Sequence, residues 1–292
     1  MNYRHHFHAG NFADVLKHTL LGALVAGLQR KEKGFVYIDT HAGRGAYDLT
    51  AARRGDSLER KPEWPDGIGR VWSVPGKPDT PSQVSEYVAR VRAFDRGRGN
   101  TEAAPRHYPG SPWLVRSQLR PHDRMVLCEK HPEEHAALAA EFARMRRVTI
   151  QEADGYAALR GLLPPRERRA LVLIDPPFEN QNEYAQIAAA LADGLKRLPA
   201  GTFAVWYPLT ERARVEAFFG KVIRLEPPPT WTAELTIAGE AAAIKLRGCG
   251  LLVVNPPWQL DREIIPALHW LAAPLAQAEG ASGELRWLVP ER

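Results

Sequence analysis

Short apolar runs alternate with amphipathic stretches along most of the chain. Leucines at positions 16, 20, 24 and 28 recur every four residues, which predicts a helix capped by Asn11 and continuing to about Arg30. Strand-like apolar runs follow at 35–39, 124–129, 147–151, 170–175 and 202–207, and helical patterns lie at 132–144, 155–163 and 182–198. Two later runs, 232–237 and 250–254, are expected to pair as a terminal hairpin-like unit. This alternation predicts an α/β fold in which helices cover a parallel sheet.

The segment from Leu49 to Pro109 interrupts that alternation. It is rich in proline, glycine and charged residues, and its one clear helical pattern runs from Ser82 to Phe94. A structureless loop of this length is unusual inside a compact domain. We therefore expect one domain spanning residues 1–292, with residues 49–109 forming a small helical subdomain inserted between the first and second strands.

Composition is that of a soluble globular protein, with 45% hydrophobic and 25% charged residues. The longest strongly apolar run, 20–28, is about half of what a membrane span requires. The two cysteines, Cys128 and Cys249, form neither a disulfide framework nor a zinc motif. We therefore expect a cytoplasmic protein that does not cross a membrane.

The charge balance favours a polyanionic partner. The chain has 39 Lys and Arg against 34 Asp and Glu, and its pI is near 9.3. Most of the basic residues are arginine, whose guanidinium can donate two hydrogen bonds to one phosphate. Two basic clusters, 144–147 and 166–169, are interpreted either as contacts to RNA phosphate or as solvated helix ends.

Acidic residues end or follow four of the predicted strands. They are Asp39, Glu129, Asp154 and Asp175. Ligands of open α/β sheets bind at the carboxyl ends of the strands, so the four carboxylates are expected to lie around one site. The glycine turn after Asp39 has Asp48 where a dinucleotide fingerprint requires a third glycine, and the chain contains no phosphate-loop lysine motif. The turn instead suits a small ligand lying against the backbone.

The tetrapeptide Asp175-Pro176-Pro177-Phe178 carries the most specific chemistry. An exocyclic amine of a nucleobase is a poor nucleophile because its lone pair is delocalised into the ring. The Asp175 carboxylate and the Pro176 carbonyl can accept its hydrogens and aim the lone pair, and successive prolines hold both acceptors rigidly. Phe178 offers a face on which a flipped-out base can stack. The motif predicts amino-group methylation.

A second tetrapeptide, Asn255-Pro256-Pro257-Trp258, also follows an apolar run. It lies far from the glycine turn in strand order, whereas the strand before Asp175 is expected to lie beside the first strand. We therefore interpret the second tetrapeptide as structural, and we expect Trp258 to contribute to stability.

These motifs together resemble one known family. They are the amino-terminal block 3–11, the helix segment 14–18, the turn 39–43, the tetrapeptide 175–178, the segments 108–112 and 206–208, and the terminal 255–258. The chain is similar over essentially its whole length to the RlmJ family, which methylates adenine N6 in 23S ribosomal RNA using S-adenosylmethionine. Phe178 stands where that family commonly has tyrosine, a change that preserves stacking. The resemblance implies a Rossmann-like class I S-adenosylmethionine-dependent methyltransferase fold of about seven strands.

The resemblance also implies roles for individual residues. His18 and His41 would line the methionine end of the cofactor, and Ser111 would close over it. Glu129 would bind the ribose hydroxyls, while Asp154 and the Gly155 backbone would contact the cofactor adenine. Asp175, as catalytic residue, would also border the cofactor. Pro176 and Phe178 would bind the target base, which Tyr3 would reach.

Simpler structural roles exist for some of these residues. Ser111 before Pro112 is a good helix N-cap in any protein, and His18 fits an ordinary polar helix face. The histidines at positions 5, 6 and 8 lack accompanying cysteine or acidic ligands, so we expect no metal site.

The sequence therefore predicts a monomeric methyltransferase that acts on 23S ribosomal RNA. Two alternatives stay open at this point, a DNA adenine-N6 methyltransferase and a non-catalytic RNA-binding module on the same fold. The intact tetrapeptide favours an enzyme over a binding module. The chain has no recognisable appended DNA-reading domain, which favours RNA over DNA.

Overall fold

The computed structural model describes residues 7–50, 61–74 and 76–291. Its strands are β1 (Val36–Asp39), β2 (Ala46–Asp48), β3 (His107–Pro109), β4 (Arg124–Glu129), β5 (Val148–Glu152), β6 (Ala170–Ile174), β7 (Thr202–Pro208), β8 (Thr230–Thr236), β9 (Gly248–Val254) and β10 (Ser282–Val289). Its α-helices are α1 (Phe12–Gln29), α2 (Ile68–Val71), α3 (Ser82–Gly97), α4 (Ser111–Arg116), α5 (Pro132–Phe142), α6 (Gly155–Leu162), α7 (Glu183–Arg197), α8 (Arg212–Ile223) and α9 (Leu260–Leu275). None of these described helices is long and apolar enough to cross a membrane.

Within the described residues, the main sheet has eight strands in the order β10-β8-β9-β7-β6-β1-β4-β5. The five strands from β7 to β5 in this order are parallel, whereas β9 runs antiparallel to both β7 and β8. Helices cover both faces, and each face has its own cluster of buried apolar side chains. The predicted Rossmann-like α/β fold is confirmed, and 230–236 pairs with 248–254 as expected.

The predicted count of about seven strands was one too low. The additional strand, β10, pairs only with β8 and lies at the edge of the sheet. Its sequence, SGELRWLV, is half-exposed along most of its length. An edge strand of this kind lacks the continuous apolar run that marks the buried strands.

Parallel pairing of β1 with β6 places the two most informative motifs side by side. Asp39 lies opposite Leu173, two residues before Asp175. The glycine turn after β1 and the tetrapeptide after β6 therefore leave the sheet at neighbouring points of its carboxyl edge.

Helix α1 is buried on nearly all sides. The Asn11 side chain caps it by accepting a hydrogen bond from the amide of Asp14 at 3.0 Å. The capped helix with its buried leucines confirms the predicted element, but it also buries Asp14, Lys17 and His18. These polar side chains require partners within the protein, since a buried unpaired charge is costly.

The described residues between β1 and β4 include two short strands and several helices. β2 pairs with β3, and α3 extends three residues beyond the predicted end at Phe94. The buried Asp95 carboxylate accepts hydrogen bonds from the amide of His107 at 2.7 Å and the side chain of Asn100 at 2.6 Å. These bonds join the end of α3 to β3. We propose to treat residues 49–109 as an inserted subdomain of a single domain.

The second tetrapeptide lies at the opposite edge of the sheet from the first. Because β9 is antiparallel to β7, its end lies beside the start of β7, where Thr202 donates a hydrogen bond to the Asn255 carbonyl at 2.8 Å. Pro257 packs against Gly27, where even an alanine Cβ would be 2.7 Å from the proline ring. The backbone of this tetrapeptide is therefore structural. The expectation for Trp258 itself is corrected, because its side chain is 66% exposed.

Two tryptophans provide a matched test of this packing. Trp231 on β8 is fully buried, so Trp231→Ala is expected to lower the free energy of unfolding by about 3–5 kcal/mol. Trp258→Ala removes an exposed ring and is expected to change it by about 0.5 kcal/mol or less. Urea unfolding of both variants measures the difference. Equal losses would contradict the placement of Trp258.

Candidate active site

The carboxyl edge of the sheet brings the predicted acidic residues together. The adjacent strands β6, β1, β4 and β5 end beside Asp175, Asp39, Glu129 and Asp154. Each carboxylate is held by a different set of contacts. The chemistry available to a ligand therefore differs from one carboxylate to the next.

Asp39 lies at the centre of a buried hydrogen-bond cluster. Its side chain accepts hydrogen bonds from the Tyr37 hydroxyl at 2.7 Å, the Ser111 hydroxyl at 2.6 Å and the His41 amide at 3.2 Å. Burial raises the pKa of Asp39 to about 6, although these bonds favour the charged form. Asp39 thus ties β1 to α4 and to the glycine turn. Its hydrogen-bond geometry was not predicted from sequence.

Ser111 does not serve as a helix cap. Helix α4 begins at Ser111 and its cap is Gly110, with no capping bond from a side chain. The Ser111 hydroxyl instead donates to Asp39, and the residue is buried next to the carboxyl edge. The structural alternative for this residue is therefore wrong, and its side chain faces the candidate site.

The Glu129 side chain stabilises the glycine turn by hydrogen bonding to its backbone. One carboxylate oxygen accepts from the Gly43 amide and the other from the His131 amide, both at 2.8 Å. The turn needs glycine here because Gly43 has a φ of +59°, in the left-handed region. Each carboxylate oxygen has a second lone pair, so the half-buried Glu129 can still accept hydrogen bonds from a ligand.

Asp154 caps helix α6. Its Oδ1 accepts from the amides of Tyr156 at 3.1 Å and Ala157 at 3.3 Å, and its Oδ2 lies 3.0 Å from the Lys130 ammonium. Burial acts to raise the pKa of Asp154, but Lys130 and the two amides outweigh it and hold that pKa below its usual value. Asp154 is therefore ionised at neutral pH.

Gly155 follows as the first residue of α6 and lies against the end of β1. A Cβ at this position would be 2.0 Å from the Thr40 carbonyl oxygen, so only glycine fits. The amide at the start of a helix has no acceptor within the helix. The backbone here can therefore approach and donate to a ligand.

Asp175 forms a salt bridge that the sequence did not reveal. Its Oδ2 lies 2.6 Å from the Lys17 ammonium, which also lies 2.9 Å from Asp14 Oδ1. Burial alone would lower the pKa of Lys17, but the two carboxylates hold it well above its usual value. The sequence offered one indication of this contact, because Lys17 follows Asp14 by three residues on a helix whose faces are largely apolar. Helix α1 thus contributes directly to the site.

The two histidines have different surroundings. His18 is buried, and its Nδ1 lies 2.7 Å from the Tyr108 hydroxyl, which lies 2.9 Å from the Tyr87 hydroxyl on α3. The polar-face interpretation of His18 is therefore wrong. His41 is half-buried in the glycine turn, with its Nδ1 2.8 Å from the Thr40 hydroxyl. Burial lowers the pKa of His41 to about 4 despite the nearby charges of Asp175 and Asp154.

Phe178 belongs to an aromatic wall beside Asp175. Its ring meets Tyr184 and Trp206 edge to face, with centroid distances of 5.1 and 5.6 Å. The residue has a φ of +50°, while Pro176 is buried and anchors the segment. This packing gives Phe178 a fixed orientation and leaves it half-buried.

Two predictions concern the amino terminus and metals. Tyr3, with His5 and His6, lies outside the described residues, so its predicted contact with the target nucleotide stays a prediction. His8 lies within them, with its Nδ1 3.0 Å from Glu63. In the part of the chain that the structure describes, no three His, Cys, Asp or Glu side chains are grouped so as to hold a metal ion.

Comparison with known proteins places this geometry in a family. The family model described as "Ribosomal RNA large subunit methyltransferase D, RlmJ" matches residues 32–289. Two proteins named "Ribosomal RNA large subunit methyltransferase J", from Escherichia coli strain K12 and Haemophilus influenzae, are 36% and 35% identical to this chain over 291 residues. Each alignment covers 100% of both proteins.

A solved structure is similar over almost the same length. The crystal structure of protein LPL1258 from Legionella pneumophila is 35% identical, with a TM-score of 0.82, over 96% of this chain and 97% of that one. The fold, the acidic carboxyl edge and the full-length similarity all agree. The chain therefore belongs to the RlmJ family of ribosomal RNA large subunit methyltransferases.

Proposed function

We propose that this protein transfers the methyl group of S-adenosylmethionine to the N6 amino group of an adenine in 23S ribosomal RNA. The proposal depends chiefly on the position of Asp175, which directly follows β6 and lies next to the glycine turn after β1. Family membership supports the ribosomal RNA substrate, and the two curated relatives carry that substrate class in their names. With this substrate, we expect the protein to act in the cytoplasm, as a monomer and without a metal ion.

The contacts of Asp175 define how it would engage the amine. Lys17 occupies Oδ2, and the described residues donate no hydrogen bond to Oδ1. An adenine amino group can therefore donate one hydrogen to Oδ1 and the other to the carbonyl of Pro176. Held between these acceptors, the nitrogen is drawn towards tetrahedral geometry with its lone pair directed away from them. Lys17 keeps the carboxylate in place, so Asp175 acts chiefly by positioning and polarising the amine. As the N–C bond forms and the bond from sulfur to the methyl group breaks, the surplus N6 proton can pass to Oδ1 of Asp175.

The residues around the glycine turn fit S-adenosylmethionine. When bound, the cofactor supplies a methyl group that its sulfonium has already activated. Glu129 has lone pairs for two ribose hydroxyls, while Asp154 and the Gly155 amide offer an acceptor and a donor to an adenine edge. Ser111 and His18 lie on the side of Asp39 and α1, where we place the methionine end.

The charges near the methionine end suit a positive sulfonium. Asp175 supplies negative charge at this edge. His41 has a pKa near 4 and is therefore uncharged at neutral pH, so it does not repel the sulfonium. The aromatic wall at Phe178 offers a rigid face for the target base, and Tyr3 would approach the same nucleotide.

Substrate class is the first test of the proposal. The protein is incubated with labelled S-adenosylmethionine and ribosomal RNA, transfer RNA or DNA in separate reactions, and the modified base is mapped. We expect N6-methyladenine in 23S ribosomal RNA, with the same yield in EDTA. Labelled adenine in DNA alone would replace the proposal with DNA methylation. Tight RNA binding without transfer to any substrate would identify a binding module.

Asp175 provides the mechanistic test. Asp175→Ala removes the acceptor and is expected to lower single-turnover methylation by about 10²–10⁴-fold. Asp175→Asn keeps an acceptor oxygen and is expected to retain a residual rate. Cofactor affinity, measured by calorimetry on the same samples, should change far less than the rate. A folded Asp175→Ala enzyme with near-normal turnover would contradict the mechanism.

Glu129 provides the test of cofactor placement. Glu129→Ala is expected to weaken S-adenosylmethionine binding by about 1.5–3 kcal/mol through loss of charge-assisted hydrogen bonds. Glu129→Gln retains one carbonyl acceptor and should lose less. Glu133→Ala, which removes an exposed carboxylate from the first turn of α5, is the matched control and should leave affinity unchanged. Unaltered calorimetric affinity in folded Glu129→Ala would refute the ribose assignment.

A further inference from the structure

The amino edge of the sheet carries a concentration of positive charge that the proposed reaction does not use. Five segments lie directly before the parallel strands, at 30–33, 120–124, 144–147, 166–169 and 196–197. They hold thirteen Lys or Arg and three Asp or Glu, an excess of ten positive charges. The whole chain has a net charge of +5. We call these segments the amino-edge surface, and the rest of the chain is therefore net acidic.

Hydrogen bonds and a salt bridge join three of these segments to one another. Arg120 donates to the Lys31 carbonyl at 3.0 Å, and Arg169 donates to the Lys33 carbonyl. Arg124 forms a salt bridge of 2.6 Å with Glu167. Burial and, to a smaller extent, the nearby charge of Arg120 lower the pKa of Arg169, while Asp123 acts in the opposite direction. The segments before β1, β4 and β6 thus form a continuous basic surface.

Many of these charges form no salt bridge with the residues that the structure describes. Of the three acidic residues in the amino-edge surface, Asp123 pairs with Arg120, and Glu167 pairs with Arg124 and Arg166. Exposed side chains with no salt bridge to any described residue include Lys31, Lys33, Arg146, Arg168 and Lys196. Crowded unpaired cations repel one another and are stabilised by an approaching polyanion.

Trp258 adjoins the same surface. The Arg30 guanidinium, in the first segment, donates to the Trp258 carbonyl at 2.7 Å. The ring is 66% exposed, while the preceding Pro257 is packed against α1. Arg30 itself also pairs with Glu263, so its role here is to fix the position of Trp258. An exposed aromatic ring held at the border of a basic surface is a combination that binds single-stranded nucleic acid.

We propose that the amino-edge surface binds the RNA substrate at a second site, away from the target adenine. The Lys and Arg side chains take phosphates, and Trp258 stacks on an unpaired base. The inference rests on the proposed function for the identity of the RNA. The five residues of β6 separate the two edges of the sheet by roughly 17 Å. Only an RNA longer than the target loop therefore reaches both sites.

Removing charge from the surface tests the phosphate contacts. Lys31→Gln/Lys33→Gln is compared with the charge-preserving Lys31→Arg/Lys33→Arg, using a target hairpin and a longer 23S fragment containing it. Affinity of the glutamine variant for the longer fragment should fall about tenfold, and its slope against log salt should flatten by about 1.4–1.8. The arginine variant should match the wild type. Single-turnover methylation of the hairpin should be the same in all three proteins, which also controls for folding.

Trp258 tests the stacking contact separately. Trp258→Ala should weaken binding of the longer fragment by about tenfold with an unchanged salt slope, and Trp258→Phe should retain most of the affinity. Wild-type affinity in both Lys31→Gln/Lys33→Gln and Trp258→Ala would overturn the proposal. So would equal losses on the hairpin and the longer fragment. Neither result depends on methyl transfer, whereas failure of the proposed function appears as absent N6-methyladenine in the wild-type reaction.

Discussion

The parallel hydrogen bonding of β1 between β6 and β4 is the constraint on which the candidate site depends. It places the ends of these three strands side by side, so that Asp39, Asp175 and Glu129 lie along one edge although they are far apart in sequence. A shift of one residue in either pairing would turn the side chains of β1 to the opposite face of the sheet. All four residues of β1 are buried, so a shift would repack both faces of the sheet and break the hydrogen bonds of Asp39.

A buried charge cluster on α1 then joins the helix layer to this edge. Lys17 lies between Asp14 and Asp175; Lys17 and Asp14 are buried, and Asp175 is half-buried. Removing charges from water is costly, but two carboxylates around one ammonium offset much of that cost by close contact. Asp175, the proposed catalytic carboxylate, is thus held from the helix side as well as from its own strand. Its position depends on the docking of α1 as much as on the sheet.

Local patterns predicted most of the sheet because its inner strands are continuous apolar runs. They also predicted the acidic strand ends, since a carboxylate after such a run is visible in sequence. The side chains that pair with those carboxylates could not be predicted from local sequence. Lys17 and Ser111 reach the site from helices whose docking is set by tertiary packing, and β10 is an edge strand without an apolar run.

Strand direction was a further property that local sequence did not encode. The tetrapeptides at Asp175 and Asn255 are similar, and each follows an apolar strand. Because β9 is reversed relative to β6 and β7, the second tetrapeptide ends at the amino edge. The polarity of the preceding strand therefore decides which of two similar motifs reaches the carboxyl edge of the sheet.

The hydroxyl chain from His18 through Tyr108 to Tyr87 has a consequence for how this fold can be shortened. Tyr87 lies on α3, inside the segment that interrupts the sheet. Its hydroxyl nevertheless lies within hydrogen-bonding distance of the buried Tyr108 hydroxyl, which in turn contacts the imidazole of His18. Excising α3 would leave the Tyr108 hydroxyl without that partner in an apolar interior, at a cost of about 1–3 kcal/mol. A shortened enzyme made by joining β1 directly to β4 would also remove Tyr108, which lies between these strands in the sequence. The His18 Nδ1 atom would then lose its contact with the Tyr108 hydroxyl. The interrupting segment is thus integral to the scaffold, and a reduced version must supply a substitute for both hydroxyls.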